Sequence, residues 1–532
     1  HPHPQKARPR RIKPISLRMA QGYYYERIAM QRKLTIYYTS DVHGYFSPVD
    51  YASGKSAQSG LANCMNGFAN DGNTLIIDGG DILQGSPLTY YLYSQRRDGD
   101  CVPARLLNLG GYDFVTLGNH DFNYGKAEIE RYLRELDAVC LCANIGGIAG
   151  VRRIAVVTLQ NGLRVGLTGV TTHFVSQWEQ PANLDGITVT DAFTAAAEAY
   201  AELKQQQVDL TVCIYHGGFE NDLRTGAPLY TTDENQGCRI CNELGFDILL
   251  AGHQHMPVEN LCLNGTYTCQ PPDKAAAYIR MDVTVGDTIT AESRLCRPSE
   301  QPLPAAEEYL APIDKETSAW LDRPVGHLDT ALTPSDPLDM ALNGSLIANF
   351  FNQVQLEASG ADISCASLAN TVRGFDKNVT VRDIVSTYIF PNTLVTLAVN
   401  RAQLKRALER SAEYFTLVAD GRISVSESFL HPIVQHFNYD YISGVNVTFD
   451  LRRPVGDRVT SILWHGEELD DTRTLSLCMN NYRASGAGGY GVYTECGVLR
   501  EQPTEIAELI IDYVLRHKDI TVDKTKWLNI IY

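Results

Sequence analysis

Five short apolar runs in this chain end in the same way, and that repetition narrows the possible folds more than any other feature. The runs are 34–38 (LTIYY), 74–78 (TLIID), 113–117 (DFVTL), 209–215 (DLTVCIY) and 247–251 (DILLA). Each reads as a buried strand, being short and apolar with a polar stop. The stops are Thr39-Ser40-Asp41 with His43, Gly79-Gly80-Asp81, Gly118-Asn119-His120-Asp121, His216-Gly217-Gly218, and Gly252-His253-Gln254-His255. Helix-like stretches at 126–136 and 191–206 alternate with the strands. That alternation predicts a layered α/β domain. Ligands of such sheets bind beyond the strand ends, so five strand ends offer side chains to one crevice.

The side chains at those ends share one chemistry. Asp41, His43, Asp81, Asn119, His120, His216, His253 and His255 carry the oxygen and imidazole donors that hard-to-borderline divalent cations prefer. Asp81, with two oxygens, is the natural bridge between two cations, and a cation pair can clamp phosphoryl oxygens. Taken singly, each histidine is ordinarily a satisfied core or surface residue, and an Asp after a strand is ordinarily a turn residue or helix cap. Turn chemistry does not generate five such clusters in this order, each at a strand end.

Composition excludes some partners. Lys and Arg total 46 against 62 Asp and Glu, a formal charge of −16. That disfavours binding to a nucleic-acid polymer, which calls for a basic surface. It does not disfavour a small anion, because a cation supplies the local positive charge. No run approaches the ~18 apolar residues of a membrane span. The 13 cysteines are scattered, several inside apolar runs (Cys213, Cys478), as expected of free thiols in a reducing compartment. Cys238 and Cys241 lack the second pair of a zinc ribbon and read as structural. Residues 1–29 are basic and Pro-rich without the apolar core of a secretory signal. They read as an unstructured or upstream extension before a start at Met19 or Met30, and the expected location is cytoplasmic.

A length of 532 residues suits two to four domains. Residues 298–325 are rich in Pro, Glu and Ala and predict a connector whose helix breaks near Pro312. A second α/β region follows from about 326, with a helix near 400–414, a strand at 445–450, a Gly-rich loop at 485–491 and a closing amphipathic helix at 503–516. The boundaries expected are 1–29 for the extension, 30–300 and 329–532 for two domains, and 301–328 for a helical connector.

The ordered set DxH, GGD, GNHD, HGG and GHxH resembles the calcineurin-like metallophosphoesterases, and the second half resembles the C-terminal domain of the 5′-nucleotidase family. The resemblance covers about 33–532. It implies a four-layer α/β/β/α sandwich followed by an α/β substrate-binding domain, and a dinuclear hydrolase of nucleotide phosphate esters. It implies two divalent cations (Mn, Zn or Fe): one held by Asp41, His43, Asp81 and His255, the other by Asp81, Asn119, His216 and His253. His120 would stand beside them as a catalytic group at the leaving oxygen, oriented by Asn123.

Two features bear on the branch. Where 5′-nucleotidases read GNHEFD, this chain has Asn123 in place of the final Asp, followed by Tyr124-Gly125. With Tyr388–Leu394 (YIFPNTL) and Asn480–Gly486 (NNYRASG), that resembles the 2′,3′-cyclic-nucleotide 2′-phosphodiesterase/3′-nucleotidase branch. The substrate loop of the 5′-nucleotidases is also altered here, to Ser367–Gly374, leaving Arg373 as its substrate contact. By position, Tyr439 and Tyr490 would sandwich the nucleobase. The alternatives are a 5′-nucleotidase or UDP-sugar hydrolase with the same metal core, and a nucleotide-binding sensor with little turnover. The partner expected is a small nucleotide, with no membrane, and oligomeric state is open.

Overall fold

The computed structural model describes residues 31–229, 233–390, 392–418, 421–431 and 434–532. The extension 1–29 lies outside them, as does Pro391 of the 388–394 motif.

The apolar runs pair into two sheets. One has seven strands in the order Ile289–Cys296, Tyr278–Val285, Arg32–Thr39, Thr74–Asp78, Phe114–Val115, Val139–Leu141 and Val151–Arg152. The other has six: Val258–Leu263, Thr266–Gln270, Ile248–Ala251, Leu210–His216, Arg164–Thr171 and Ile154–Thr158. The strands that lead into the site run parallel within each sheet, which places their C-terminal ends on one edge. The third expected strand is shorter than its apolar run, only Phe114–Val115, with the Thr116 N–H still donating to the Asp78 carbonyl at 3.0 Å.

Strand periodicity fixes the layers. Leu34, Ile36, Tyr38, Leu75 and Ile77 of the first sheet pack on Val165, Leu167, Val212, Ile214, Ile248 and Leu250 of the second. The intervening residues face outward under helices. Tyr37 and Ile76 meet Val102–Gly110 and Lys126–Glu135, and Cys213, Tyr215 and Leu249 meet Ala192–Lys204 and Gly237–Glu243. Ala192–Lys204 shows why such a helix forms. Asp191 caps it by accepting the Thr194 N–H, and Ala192, Ala195, Ala196, Ala199 and Leu203 make a buried stripe at helical spacing. The result is the α/β/β/α sandwich.

The connector departs from expectation. The helix Pro304–Leu321 runs without a break through Pro312. An internal proline costs about 3 kcal/mol, and tertiary packing offsets it. Leu310, Ile313, Trp320 and Leu321 are buried, and Trp320 lies against Tyr90 and Tyr91 with ring centres 6.1 and 5.5 Å away.

Beyond it, a five-stranded sheet runs in the order Asp440–Ser443, Ile363–Ser367, Thr474–Asn480, Thr393–Asn400 and Gly497–Glu505, with the helices Leu346–Ser359, Arg401–Ala412 and Ile506–His517 around it. Cys238 and Cys241 sit buried on one short helix, and all 13 cysteines are free thiols. Among the described residues no helix is long and apolar enough to cross a membrane.

Candidate metal centre and the cavity above it

Sharp turns at the strand ends converge the predicted ligands. Asp41, His43, Asp81, His253 and His255 all have positive φ, between 50° and 74°. Non-glycine residues adopt this region at a cost of about 1–3 kcal/mol each, and such strain gathers at functional sites. Glycine is required where loops touch: a side chain at Gly118 would collide with the Asp81 carboxylate, and one at Gly80 with the Gly118 backbone.

Two donor sets result, Asp41 with His43 and His255, and Asp41 with Asp81 and His216. Asp41 and Asp81 are buried. His255 Nε2 stands 3.4 Å from Asp41 Oδ1, and His216 Nε2 stands 3.1 Å from Asp81 Oδ2 and 3.2 Å from Asn119 Oδ1. Asp81 Oδ2 is buried and lies between this His216 nitrogen and His43 Nε2, which stands 3.8 Å away on its other side. A buried carboxylate oxygen between imidazole nitrogens suits a bridging position between cations. Second partners fix the imidazoles: His216 Nδ1 lies 2.7 Å from the Gly79 carbonyl, His43 Nδ1 2.9 Å from the Gln84 carbonyl, and His255 Nδ1 3.6 Å from Asp273. His253 turns its Nε2 to Glu234 at 2.7 Å, while its backbone N–H donates to Asp41.

Charge tells the same story. Burial alone would raise Asp41 and Asp81, yet neighbouring histidines hold both well below the usual carboxylate range. Burial would lower His216 and His255, but the carboxylates push them up to about 10 and about 9. Burial lowers His43 to about 4. Protons on His216 and His255 supply the positive charge that the two ionised carboxylates call for, and divalent cations held by the same donors would displace those protons.

His120 stands beside this cluster. Its backbone N–H donates to Asp81 Oδ1 at 2.7 Å, and its Nδ1 lies 2.9 Å from Asn123 Oδ1, the neighbour that the family resemblance implies for it. A cavity of about 360 Å³ opens above, lined by His43, Asp81, Asn119, His120, His253 and His255 on one wall. The second half supplies the opposite wall with Thr393, Asn481, Gln502 and Glu505.

The aromatic pair corrects a sequence expectation. Tyr439 and Tyr490 are 3% and 1% exposed, in the core of the second half. Tyr439 packs among Tyr414, Phe415 and Tyr441. Tyr490 shares its hydroxyl with Ser411 and Asn438 and lies under Arg483, 4.2 Å from the guanidinium. Neither ring offers a free face for a base, because the glycines beside Tyr490 let its loop fold inward. Arg373 stands off the metal cavity, more than half exposed, between Ser386 and Asp383.

Sequence reasoning missed several groups. Asp121 accepts four backbone N–H groups, from Gly118, Asp81, Ile82 and Leu83, at 2.8–2.9 Å, and so ties two site loops together. It lay inside a quoted motif, and its short spacing from Gly118 was the available signal. Asp273 follows a strand end like the other acids. Glu234 and Glu505 carried no local signal.

Two facing sheets with candidate metal ligands at their strand ends have the architecture of a metallophosphoesterase. The model of the calcineurin-like phosphoesterases matches residues 34–257, and that of the 5′-nucleotidase C-terminal domain matches 324–495. A Staphylococcus aureus protein with a provisional 5′-nucleotidase name, solved with alpha-ketoglutarate, is 33% identical. It covers 94% of this chain and 100% of its own, at a TM-score of 0.69. The chain belongs to the 5′-nucleotidase family of calcineurin-like phosphoesterases, hydrolases of phosphate esters. It is also 24% identical to the 2′,3′-cyclic-nucleotide 2′-phosphodiesterase/3′-nucleotidase of Haemophilus influenzae, over 90% of this chain and 84% of that protein. It is 22% identical to the trifunctional nucleotide phosphoesterase YfkN of Bacillus subtilis, over 93% of this chain, and spans 38% of that longer relative. The fold implies divalent metal ions.

Proposed function

We propose that this chain hydrolyses nucleotide phosphate esters as a 2′,3′-cyclic-nucleotide 2′-phosphodiesterase/3′-nucleotidase. The observation that carries the reading is one cavity walled by the strand-end donors and His120, with a buried Asp81 oxygen between the imidazoles of His216 and His43 at its floor. Asn123 in place of the family Asp, and relatives named for that activity, support the branch.

Asp41, His43, Asp81 and His255 would hold one cation, and Asp81, Asn119, His216 and His253 the second. When bound, the pair would supply an activated water and offset phosphoryl charge. His120 gives a proton to the departing oxygen from Nε2, while Nδ1 is anchored on Asn123. Thr393, Asn481 and Gln502 offer uncharged polar groups across the cavity for sugar hydroxyls. The catalytic unit in this reading spans 30–300 and the substrate-binding unit 329–532, joined by 301–328.

Phosphate release from 2′,3′-cyclic AMP, 3′-AMP, 5′-AMP and UDP-glucose, with a phosphatase added where the product is a monoester, tests it on metal-stripped protein reloaded with Mn²⁺ or Zn²⁺. The cyclic and 3′ substrates are expected to be preferred, and His120→Ala to slow them by about 100-fold or more. Preference for 5′-AMP or UDP-glucose would move the chain to the 5′-nucleotidase reading, which the Staphylococcus relative's name favours. Tight binding without turnover would make it a sensor.

A further inference from the structure

Asn123 stands behind His120 without a charge, and the structure places a carboxylate a single residue further back. Asn123 Nδ2 donates to Glu179 Oε2 at 2.6 Å, and Glu179 is only 7% exposed. The other carboxylate oxygen accepts from the Gln180 N–H at 2.7 Å and from Asn183 Nδ2 at 2.8 Å. Asn183 Nδ2 also donates to the Asn123 carbonyl at 3.0 Å, so donor and acceptor ends of this small network are held together. Glu179 itself closes the short helix Val175–Trp178, its N–H donating to Val175.

An Asn side chain presents either an oxygen or an NH₂ to its neighbour, and the two are nearly the same shape. A carboxylate accepts only. Glu179 therefore demands the NH₂ of Asn123, which leaves the amide oxygen facing His120 Nδ1. That orientation lets Nδ1 carry a proton while Nε2 delivers another to the leaving oxygen. With the amide flipped, an NH₂ would face Nδ1 and exclude a proton there.

We propose that Glu179 is a positioning residue for His120, acting through Asn123 by fixing which end of the amide the imidazole meets. The proposal rests on the phosphoesterase reading above and on His120 assisting the leaving oxygen. It does not depend on the substrate being a nucleotide.

The test uses the full chain, loaded with Mn²⁺, on phenyl phosphate and p-nitrophenyl phosphate, with the nucleotide panel run alongside. Nitrophenolate departs without a proton, and phenolate benefits from one. Glu179→Met, similar in length and without an acceptor, is expected to lower kcat on phenyl phosphate about tenfold and to leave p-nitrophenyl phosphate within about twofold, with KM unchanged. Asn123→Asp alone sets two carboxylates against each other and is expected to be slow. Glu179→Met in the Asn123→Asp background relieves that conflict, and the double variant should outpace both single variants on phenyl phosphate.

A merely structural Glu179 would slow both substrates alike and would make the double variant the slowest of the set. Either result overturns the proposal, as does an unaffected Glu179→Met. Aryl phosphate turnover without nucleotide turnover would reject the nucleotide reading and leave this test intact. No turnover of any ester by the loaded parent would reject both.

Discussion

At the residue scale, Asp121 shows how one buried side chain can build a site without touching a ligand. Burial and the neighbouring Asp81 push it up to about 6, and its four backbone donors pull the other way. Asp121→Asn keeps the shape but turns one acceptor into a donor, leaving two N–H groups facing an NH₂. Each unsatisfied buried group costs about 1–3 kcal/mol, so the variant is expected to lose about 2–4 kcal/mol. It should also take up Mn²⁺ at least about tenfold more weakly, because the Asp81 loop loses its anchor. Thermal scanning and a metal titration check this; parental values in both would show that the four bonds are dispensable. The metal-ligand candidates were legible because residue type and strand-end position both pointed to them. Their positive φ values were not, since no sequence rule makes an Asp or His adopt a glycine-like turn.

At the scale of elements, the Gly-rich loop at 485–491 is the instructive case. Its composition suggests an open loop with an exposed aromatic. Arg483, fully buried, instead folds it inward. The guanidinium donates to Asp440 at 2.9 Å, to the Ala487 carbonyl at 2.7 Å and to the Phe437 carbonyl at 3.1 Å, and it covers the Tyr490 ring. Lysine keeps the charge but not the planar fork, so Arg483→Lys leaves Asp440 and two carbonyls poorly served. A loss of about 3 kcal/mol is expected, with faster proteolytic cutting within 485–491. A variant with parental stability and an uncut loop would show that charge alone holds the turn. The Pro312 helix teaches the same lesson in reverse. A local breaker was overruled by a buried Trp320 face that no window of sequence displays.

At the scale of the whole molecule, the two halves meet around the site. Gln84, beside the His43 loop, donates to Glu508 of the helix Ile506–His517 at 2.5 Å. Burial pushes Glu508 up to about 8, and Glu505 adds to the effect. A glutamate raised above its ordinary value is neutral in the fold over the interval between the two. The folded state then binds more protons than the unfolded one, and stability falls as pH rises from about 4.5 to about 8. Glu508→Gln removes that slope. Its Tm should exceed the parent's by a few degrees at pH 8.5 and match it at pH 4.5. A difference independent of pH would mean that Glu508 is ionised in the fold.

The sequence by itself determined the layered architecture and the candidate donors of the metal centre. Both follow from short-range pattern, strand period and turn chemistry, while the pairing of His120 with Asn123 was implied by the family resemblance that those motifs carry. Tertiary structure alone decided that Tyr439 and Tyr490 belong to a core, that Glu179 stands behind Asn123, and that Glu505 closes the cavity from the far half of the chain. Those pairings join residues far apart in sequence or reverse what a loop's composition suggests. Packing and buried charge settle them, and neither is written in any local window.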